Sequence, residues 1–352
     1  MLNHTGKAKW RRFTNKVTLA VTQDLPFITK GLKLRAQIAY DSESYLKEIR
    51  KVLPEMYYAS GRTVDGTLIM RKVVDAQTAT YNKDEESQWN KLHFESTLNY
   101  DRAFGDHRVG GLVYYYMSSY QSTWCDIHGY NCNVNVDNVP KRYQGLSGRL
   151  TYGFRDTYMI DLNFGYTGSE NFQKGRRFGF FPSVALGWVP TNYDFVRETL
   201  PWLSFLKIRG SWGSVGNDRI TNKRFPYLTI MNENANKGWN GSNGVTEQSV
   251  GTDNLQWEKA IKLDLGIEGK LFNEQVDFTV DFFRDTRNDI FQQRTMVPDY
   301  IGLAEQPFGN VGSMVSYGAD GNISFRQDIG KDFSFTLSLI HISEPTRLDV
   351  IS

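Results

Sequence analysis

The sequence predicts an all-β fold, a partial antiparallel transmembrane β-barrel of roughly a dozen long strands. Three observations carry this reading. Apolar residues recur at every second position over many segments, and the best of these segments are far longer than soluble strands. Short and long polar connections also alternate at successive strand ends. A period of two sends neighbouring side chains to opposite faces of a sheet, so each such segment has one apolar face and one hydrophilic face. Seven segments illustrate the pattern.

Near the N-terminus, Leu32, Leu34, Ala36, Ile38 and Tyr40 alternate with Lys33, Arg35, Gln37 and Asp41. Next, Leu92, Phe94, Leu98 and Tyr100 oppose His93, Glu95, Asn99 and Asp101. Leu146, Leu150, Tyr152 and Phe154 oppose Ser147, Arg149 and Thr151, and Tyr158, Ile160, Leu162, Phe164 and Tyr166 oppose Asp161, Asn163 and Thr167. Leu206, Ile208 and Trp212 face away from Lys207, Arg209 and Ser211. The clearest unit runs from Trp257 to Phe283. Ile261, Leu263, Leu265 and Ile267 alternate with Lys262, Asp264 and Glu268, then Phe272 to Gln275 turns the chain into Val276, Phe278, Val280 and Phe282. A strand of about sixteen residues spans roughly 50 Å, against five or six residues for a typical soluble strand.

Connections fix the expected sidedness. Short ones are expected at Ala103 to His107, Phe154 to Thr157, Phe272 to Gln275 and Ile329 to Lys331, each rich in turn-forming residues. Long polar excursions are expected at Lys83 to Gln88, Ser119 to Arg142, Thr167 to Pro182, Asn217 to Asn254 and Asp285 to Tyr317. Sorting of this kind suits a barrel with short periplasmic turns and long extracellular loops. Pro190 to Leu203 is the exception, expected as a short helical detour on the short-turn side.

Composition agrees. Mean hydropathy is −0.48, and no run of about 18 apolar residues offers a spanning helix. A barrel escapes that test because its polar face offsets its lipid face. Aromatic residues make up 14% of the 352-residue chain, a supply that girdles at the two membrane interfaces would use. A net charge of +2 without a basic patch gives no reason to expect nucleic acid.

Candidate sites are few. Charges on the hydrophilic face, among them Lys207, Arg209, Glu258, Lys262, Asp264 and Glu268, need water or polar partners, which implies a wet or plugged lumen. Glu258, Asp264 and Glu268 are better read as lumen charges opposite Lys and Arg than as glycosidase acids. Trp239, Asn240 and Asn243 lie in the longest outer loop, where an aromatic platform beside amides suits a sugar; one packed Trp in a polar loop is the plain alternative. Cys125 and Cys132 could close a disulfide ring around His128 in an oxidising exterior, or stay as two thiols; a zinc site lacks an evident fourth ligand. With neither a Ser-His-Asp arrangement nor a phosphate loop, no cofactor and no enzyme chemistry are expected.

Four motifs in order carry a resemblance. Phe181, Pro182 and Ser183, followed by Gly187 and Trp188, resemble the "FPS…GW" strand of SusC/RagA-like TonB-linked outer-membrane transporters. Lys207, Arg209, Gly210, Gly213, Gly216 and Asn217 resemble the strand that follows, Leu255, Trp257 and Glu258 its "L.WE" start, and Asn310, Gly312 and Met314 its "N.G.M" segment. The resemblance covers about Lys16 to Leu339. It implies a multi-pass outer-membrane barrel of about 22 strands, with an internal plug. In that family, oligosaccharides or peptides are imported with energy from TonB, beneath a SusD-like surface lipoprotein. A siderophore or cobalamin receptor dependent on TonB is the alternative within transport, and a secreted glycan-binding β-sandwich the alternative outside it.

The ends depart from that pattern. Met1 to Phe13 is basic and polar, without the apolar core of a signal peptide, and no plug or TonB-contacting segment is recognisable. Residues 1–339 are therefore expected to be part of the barrel. From Ile340 the alternation breaks, and Pro345 falls where a strand should continue, so residues 340–352 are expected to be a read-through tail.

Overall fold

The computed structural model of the chain describes residues 6–125, 139–219, 225–234, 239–252, 254–294, 298–301, 306–329, 333–343 and 346–350. The strands are β1 (Gly6–Asp24), β2 (Leu32–Lys51), β3 (Met56–Arg62), β4 (Leu68–Val74), β5 (Thr80–Phe104), β6 (His107–Cys125), β7 (Lys141–Phe154), β8 (Tyr158–Ser169) and β9 (Phe178–Trp188). They continue as β10 (Leu203–Asn217), β11 (Ile230–Asn234), β12 (Gly244–Ser249), β13 (Glu258–Leu271), β14 (Val276–Gln293), β15 (Phe308–Ile329), β16 (Phe333–Ser343) and β17 (Thr346–Val350). Thirteen form one sheet in the order β1-β2-β5-β6-β7-β8-β9-β10-β13-β14-β15-β16, with β17 also on β15. The hairpins β3-β4 and β11-β12 are separate two-stranded sheets. Among the described residues, no helix is long and apolar enough to cross a membrane.

Two compact units divide the chain. The first comprises Met1–Leu19, Ile38–His93 and Ser118–Lys141. Within it, Arg11 and Arg12 pair with Glu48 and Glu43 at 3.0 and 2.8 Å. The second comprises Ala20–Gln37, Phe94–Met117 and Arg142–Ser352, and holds the segments with the strongest alternation.

In the second unit, register keeps like faces together across neighbouring strands. Leu162 lies opposite Val184, Val184 opposite Trp212, Trp212 opposite Leu263 and Leu263 opposite Arg284. One row down, Ile160 meets Leu186, Leu186 meets Gly210, Gly210 meets Leu265 and Leu265 meets Phe282. This face is exposed along its length, Leu162, Leu186, Leu263, Leu265 and Phe282 included. So large an uncovered apolar surface is what a lipid-facing wall presents.

Along β8 the apolar face reads Tyr158, Ile160, Leu162, Phe164 and Tyr166, and along β9 it reads Trp188, Leu186, Val184, Pro182 and Phe180. Aromatic ends thus bracket a middle that is aliphatic on β9 and, but for Phe164, on β8. Eight residues separate Tyr158 from Tyr166 and likewise Trp188 from Phe180. Eight steps of ~3.4 Å are ~27 Å along a strand. At a tilt of about 40° they project to roughly 21 Å, close to the ~25 Å apolar band of an outer-membrane barrel.

Connections confirm the sorting by length but move several boundaries. Short links follow Phe104, Phe154, Leu271 and Ile329, as expected. The detour after β9 is a 3₁₀ turn over Pro190–Asn192 and a helix α1 over Asp194–Thr199. Four expected loops, however, prove wholly or partly to be strand. Lys83 to Gln88 lies inside β5, and the real excursion on that side is residues 52–79, built around β3-β4. The expected loop from Asp285 to Tyr317 shrinks to 294–307, because β14 and β15 stay paired from Arg287 with Met314 up to Gln293 with Phe308. The loop from Thr167 to Pro182 shrinks to 170–177, and β6 runs on past Ser119 to Cys125. Residues 83–88 are polar throughout, and the other extensions mix polar residues with scattered apolar ones, so alternation gives little signal there.

Beyond Leu339 the ladder continues. Ile340 pairs with Asn322 and Ile342 with Asp320, both on the hydrophilic face, so the apolar residues change sides there. β17 keeps the same register, Thr346 with Ser316 through Val350 with Gly312. Pro345 lies outside the described residues.

Candidate functional site

Arg209 organises the middle of the hydrophilic face. It lies on β10, with Asp264 and Glu268 on β13 and Asp281 on β14. Its Nη1 donates to Asp264 Oδ1 at 3.1 Å, and its Nη2 to both oxygens of Asp281 at 2.7 and 2.8 Å. Nε lies 2.9 Å from Glu268 Oε1, an ion pair whose angle is poor for a hydrogen bond. Lys207 reaches Glu268 as well, at 3.5 Å. Gly266 makes this convergence possible, since a methyl there would strike Asp281 and the Arg209 side chain.

The same face carries Arg149 bonded to Asp161 and Lys262 near Asp285 at 3.6 Å. The lumen charges expected from the sequence are therefore paired across strands. Glu258, at the outer end of β13, accepts from Asn217 Nδ2 at 3.3 Å.

Toward the long-loop end an aromatic cluster closes over the strands. Phe172, Leu255, Trp257 and Phe291 are its buried members, with Phe181 and Phe308 packed against it. Trp257 lies 5.0 Å from Phe172 and 5.3 Å, edge-on, from Phe181, and Phe291 stacks on Phe308 at 5.2 Å. Its indole N–H donates to the Arg177 carbonyl at 3.2 Å. Asn310 ties two segments together: Nδ2 donates to the carbonyls of Gln256 and Asp289 at 2.9 and 2.7 Å, and Oδ1 accepts from Gln256 N at 3.0 Å. Gly216 leaves room for the Phe181 ring, which any side chain there would strike. All four sequence motifs thus contribute to one cap.

Other motif residues serve the wall. Ser183 pairs with Gly213, Gly187 with Arg209 and Trp188 with Ile208, while Pro182 faces Phe164. Gly210 lies opposite Leu265, Gly312 opposite Ile290 and Met314 opposite Arg287. Phe172 and Phe291 were not singled out by motif; the available signal was a lone Phe within a polar stretch, Asn171 to Lys174 and Asn288 to Gln293.

Trp239 lies on the 3₁₀ turn Trp239–Gly241, in the β11-β12 excursion, and is 94% exposed. Asn240 takes a left-handed conformation, φ 56° and ψ 36°, and Ser242 Oγ donates to the Trp239 carbonyl at 2.8 Å. Asn243 is exposed nearby in sequence. Of the expected disulfide, Cys132 and His128 lie outside the described residues, as does the side chain of Cys125. Among the described residues, no cluster of His, Cys, Asp and Glu is placed to hold a metal.

A long-stranded antiparallel sheet with an exposed apolar face and an ion-paired polar face defines the wall of a membrane-spanning β-barrel. Residues 5–345 match the family described as TonB dependent receptor-like, beta-barrel, and the chain belongs to that family of outer-membrane proteins. It is 27% identical over 263 residues to TonB-dependent receptor P3 of Formosa agariphila, an alignment covering 69% of this chain and 26% of that receptor. Against TonB-dependent receptor SusC of Bacteroides thetaiotaomicron it is 31% identical over 196 residues, 54% of this chain and 19% of that one. The fold is similar to a structure of the RagAB peptide transporter, with a TM-score of 0.67, 21% identity, and coverage of 98% of this chain and 37% of that one. The chain spans about a quarter of the length of the first curated relatives it matches.

Proposed function

We propose that this chain forms part of the barrel of a TonB-dependent nutrient importer, taking up oligosaccharides or peptides with a SusD-like lipoprotein at the cell surface. The observation that carries the proposal is the hydrophilic face. Its charges are met by partners one or two strands away, Arg209 with three carboxylates, so the face is stable beside a wet passage while the opposite face meets lipid. Relatives named SusC and TonB-dependent receptor, and the likeness to a peptide transporter, support import over catalysis. The relationship to SusC also favours this reading over a siderophore or cobalamin receptor. Trp239, Asn240 and Asn243 are assigned to solute capture at the outer mouth, the exposed indole as a stacking surface and the amides as hydrogen-bonding groups.

The test is uptake by cells carrying the intact transporter gene, with radiolabelled oligosaccharides and peptides offered separately. Uptake of one class should require both TonB and the gene, and the lipoprotein should co-purify with the barrel. Trp239→Ala should weaken capture by roughly tenfold, about 1.4 kcal/mol, while leaving the barrel folded. Normal uptake of both classes after deletion of the gene would overturn the proposal.

A further inference from the structure

The geometry points to α1 and its flanking aromatics as an in-plane anchor in the lipid interface on the short-turn side of the wall. This goes beyond solute transport and does not depend on what is carried. Tyr158 belongs to the apolar face, in line with Ile160 and Leu162. Its hydroxyl is hydrogen-bonded to that of Tyr193, the residue preceding α1, and the two rings meet edge-on at 6.5 Å. Tyr193 in turn lies 5.6 Å from Phe195, the second residue of α1, which is 67% exposed. The detour is thus folded onto the lipid-facing side of the strands, not onto the ion-paired side.

The row continues to either side. His107 Nδ1 lies 2.7 Å from the Tyr152 hydroxyl, its ring 4.9 Å from Phe154, and Phe154 stacks on Tyr158 at 6.5 Å. Trp188 lies opposite Tyr158, and Trp202 lies 6.4 Å from Phe272. Aromatic rings with a polar edge collect at the headgroup level of a bilayer. Continuity with this row fixes the occupant of Phe195 as lipid.

Depth follows from charge. α1 carries Asp194, Arg197 and Glu198, all exposed, so it cannot enter hydrocarbon cheaply. Val196 and Leu200 are half-buried against the protein, and Arg197 Nε is fixed on the Thr191 carbonyl at 2.7 Å, which leaves Phe195 on the outward side. A short segment with charges at one level and an exposed ring beside them belongs in the interface plane.

Spin labels test this. In the full chain, with Cys125→Ser and Cys132→Ser, nitroxides are placed by Phe195→Cys, Trp188→Cys and Trp239→Cys, and the protein is put into bilayer nanodiscs. Phe195 and Trp239 are exposed, so their variants keep the fold; the label at 188 calibrates the girdle and the label at 239 the water. Accessibility to oxygen and to a water-soluble nickel chelate is then read. The label at 195 should show the oxygen-to-nickel ratio of the girdle position. A ratio equal to that at 239 would overturn the inference, because Phe195 would be in water. Shielding from both reagents would overturn it too, because Phe195 would then be covered by protein, a second copy included.

Discussion

Replacing Arg209 by Leu should destabilise the wall by about 3 kcal/mol. The figure is built from the partners. Asp264 and Glu268 are each roughly 30% exposed at the side chain, so their ion pairs count at about 0.5 kcal/mol each. Asp281 is only 13% exposed and is held through both oxygens, so its loss counts at about 2 kcal/mol. Removal of the guanidinium also leaves three carboxylates facing one another, which works in the same direction. The assay is urea unfolding of the folded barrel in bilayers, followed by the change in gel mobility between the folded and heat-denatured forms. Asp281→Asn in the Arg209→Leu background should recover about 1 kcal/mol or more, since the two positions share one network. A loss under about 1 kcal/mol, or no recovery in the double variant, would refute the view that Arg209 balances this face.

Three further outcomes are expected. Leu265→Arg on the exposed apolar face should cost about 2–4 kcal/mol in bilayers, and Asn163→Arg on the opposite face much less; equal costs would show that the apolar face does not meet lipid. Gly216→Ala should cost about 1–3 kcal/mol, because the added methyl strikes the Phe181 ring, and Phe181→Ala in the same chain should relieve that clash. Trp257→Ala should cost about 3–5 kcal/mol by emptying the cap, and limited proteolysis should then cut first within residues 170–177 and 254–257.

The sequence was most legible where strands cross the apolar layer. There the environment differs sharply between faces, so alternation at Tyr158–Tyr166 or Ile261–Leu271 records the fold directly. It was least legible where strands leave that layer. Residues 83–88 are polar throughout, and in 285–293 only Ile290 and Phe291 are apolar, yet both stretches run on as strand, and a strand of that composition looks like a loop. Pairing of lumen charges could be anticipated in kind, but not that Arg209 would gather three acids from two strands, which depends on register and on the bare Cα of Gly266. The cap was visible only as fragments. Leu255, Trp257, Phe181 and Asn310 each stood out by motif, but their meeting is set by loops whose ends the polar strand extensions concealed, and so Phe172 and Phe291 were missed.

The spacing of rings on β8 and β9 also bears on where the protein can reside. A band of roughly 21 Å is about 9 Å short of the ~30 Å hydrocarbon layer of an average bilayer. At a fraction of a kcal/mol per ångström, such a mismatch amounts to a few kcal/mol against residence in a thicker membrane, whereas the bacterial outer membrane is thinner than average. Tyr158 to Tyr166 and Trp188 to Phe180 therefore act as a gauge of membrane thickness, biasing the chain toward its own compartment by geometry alone.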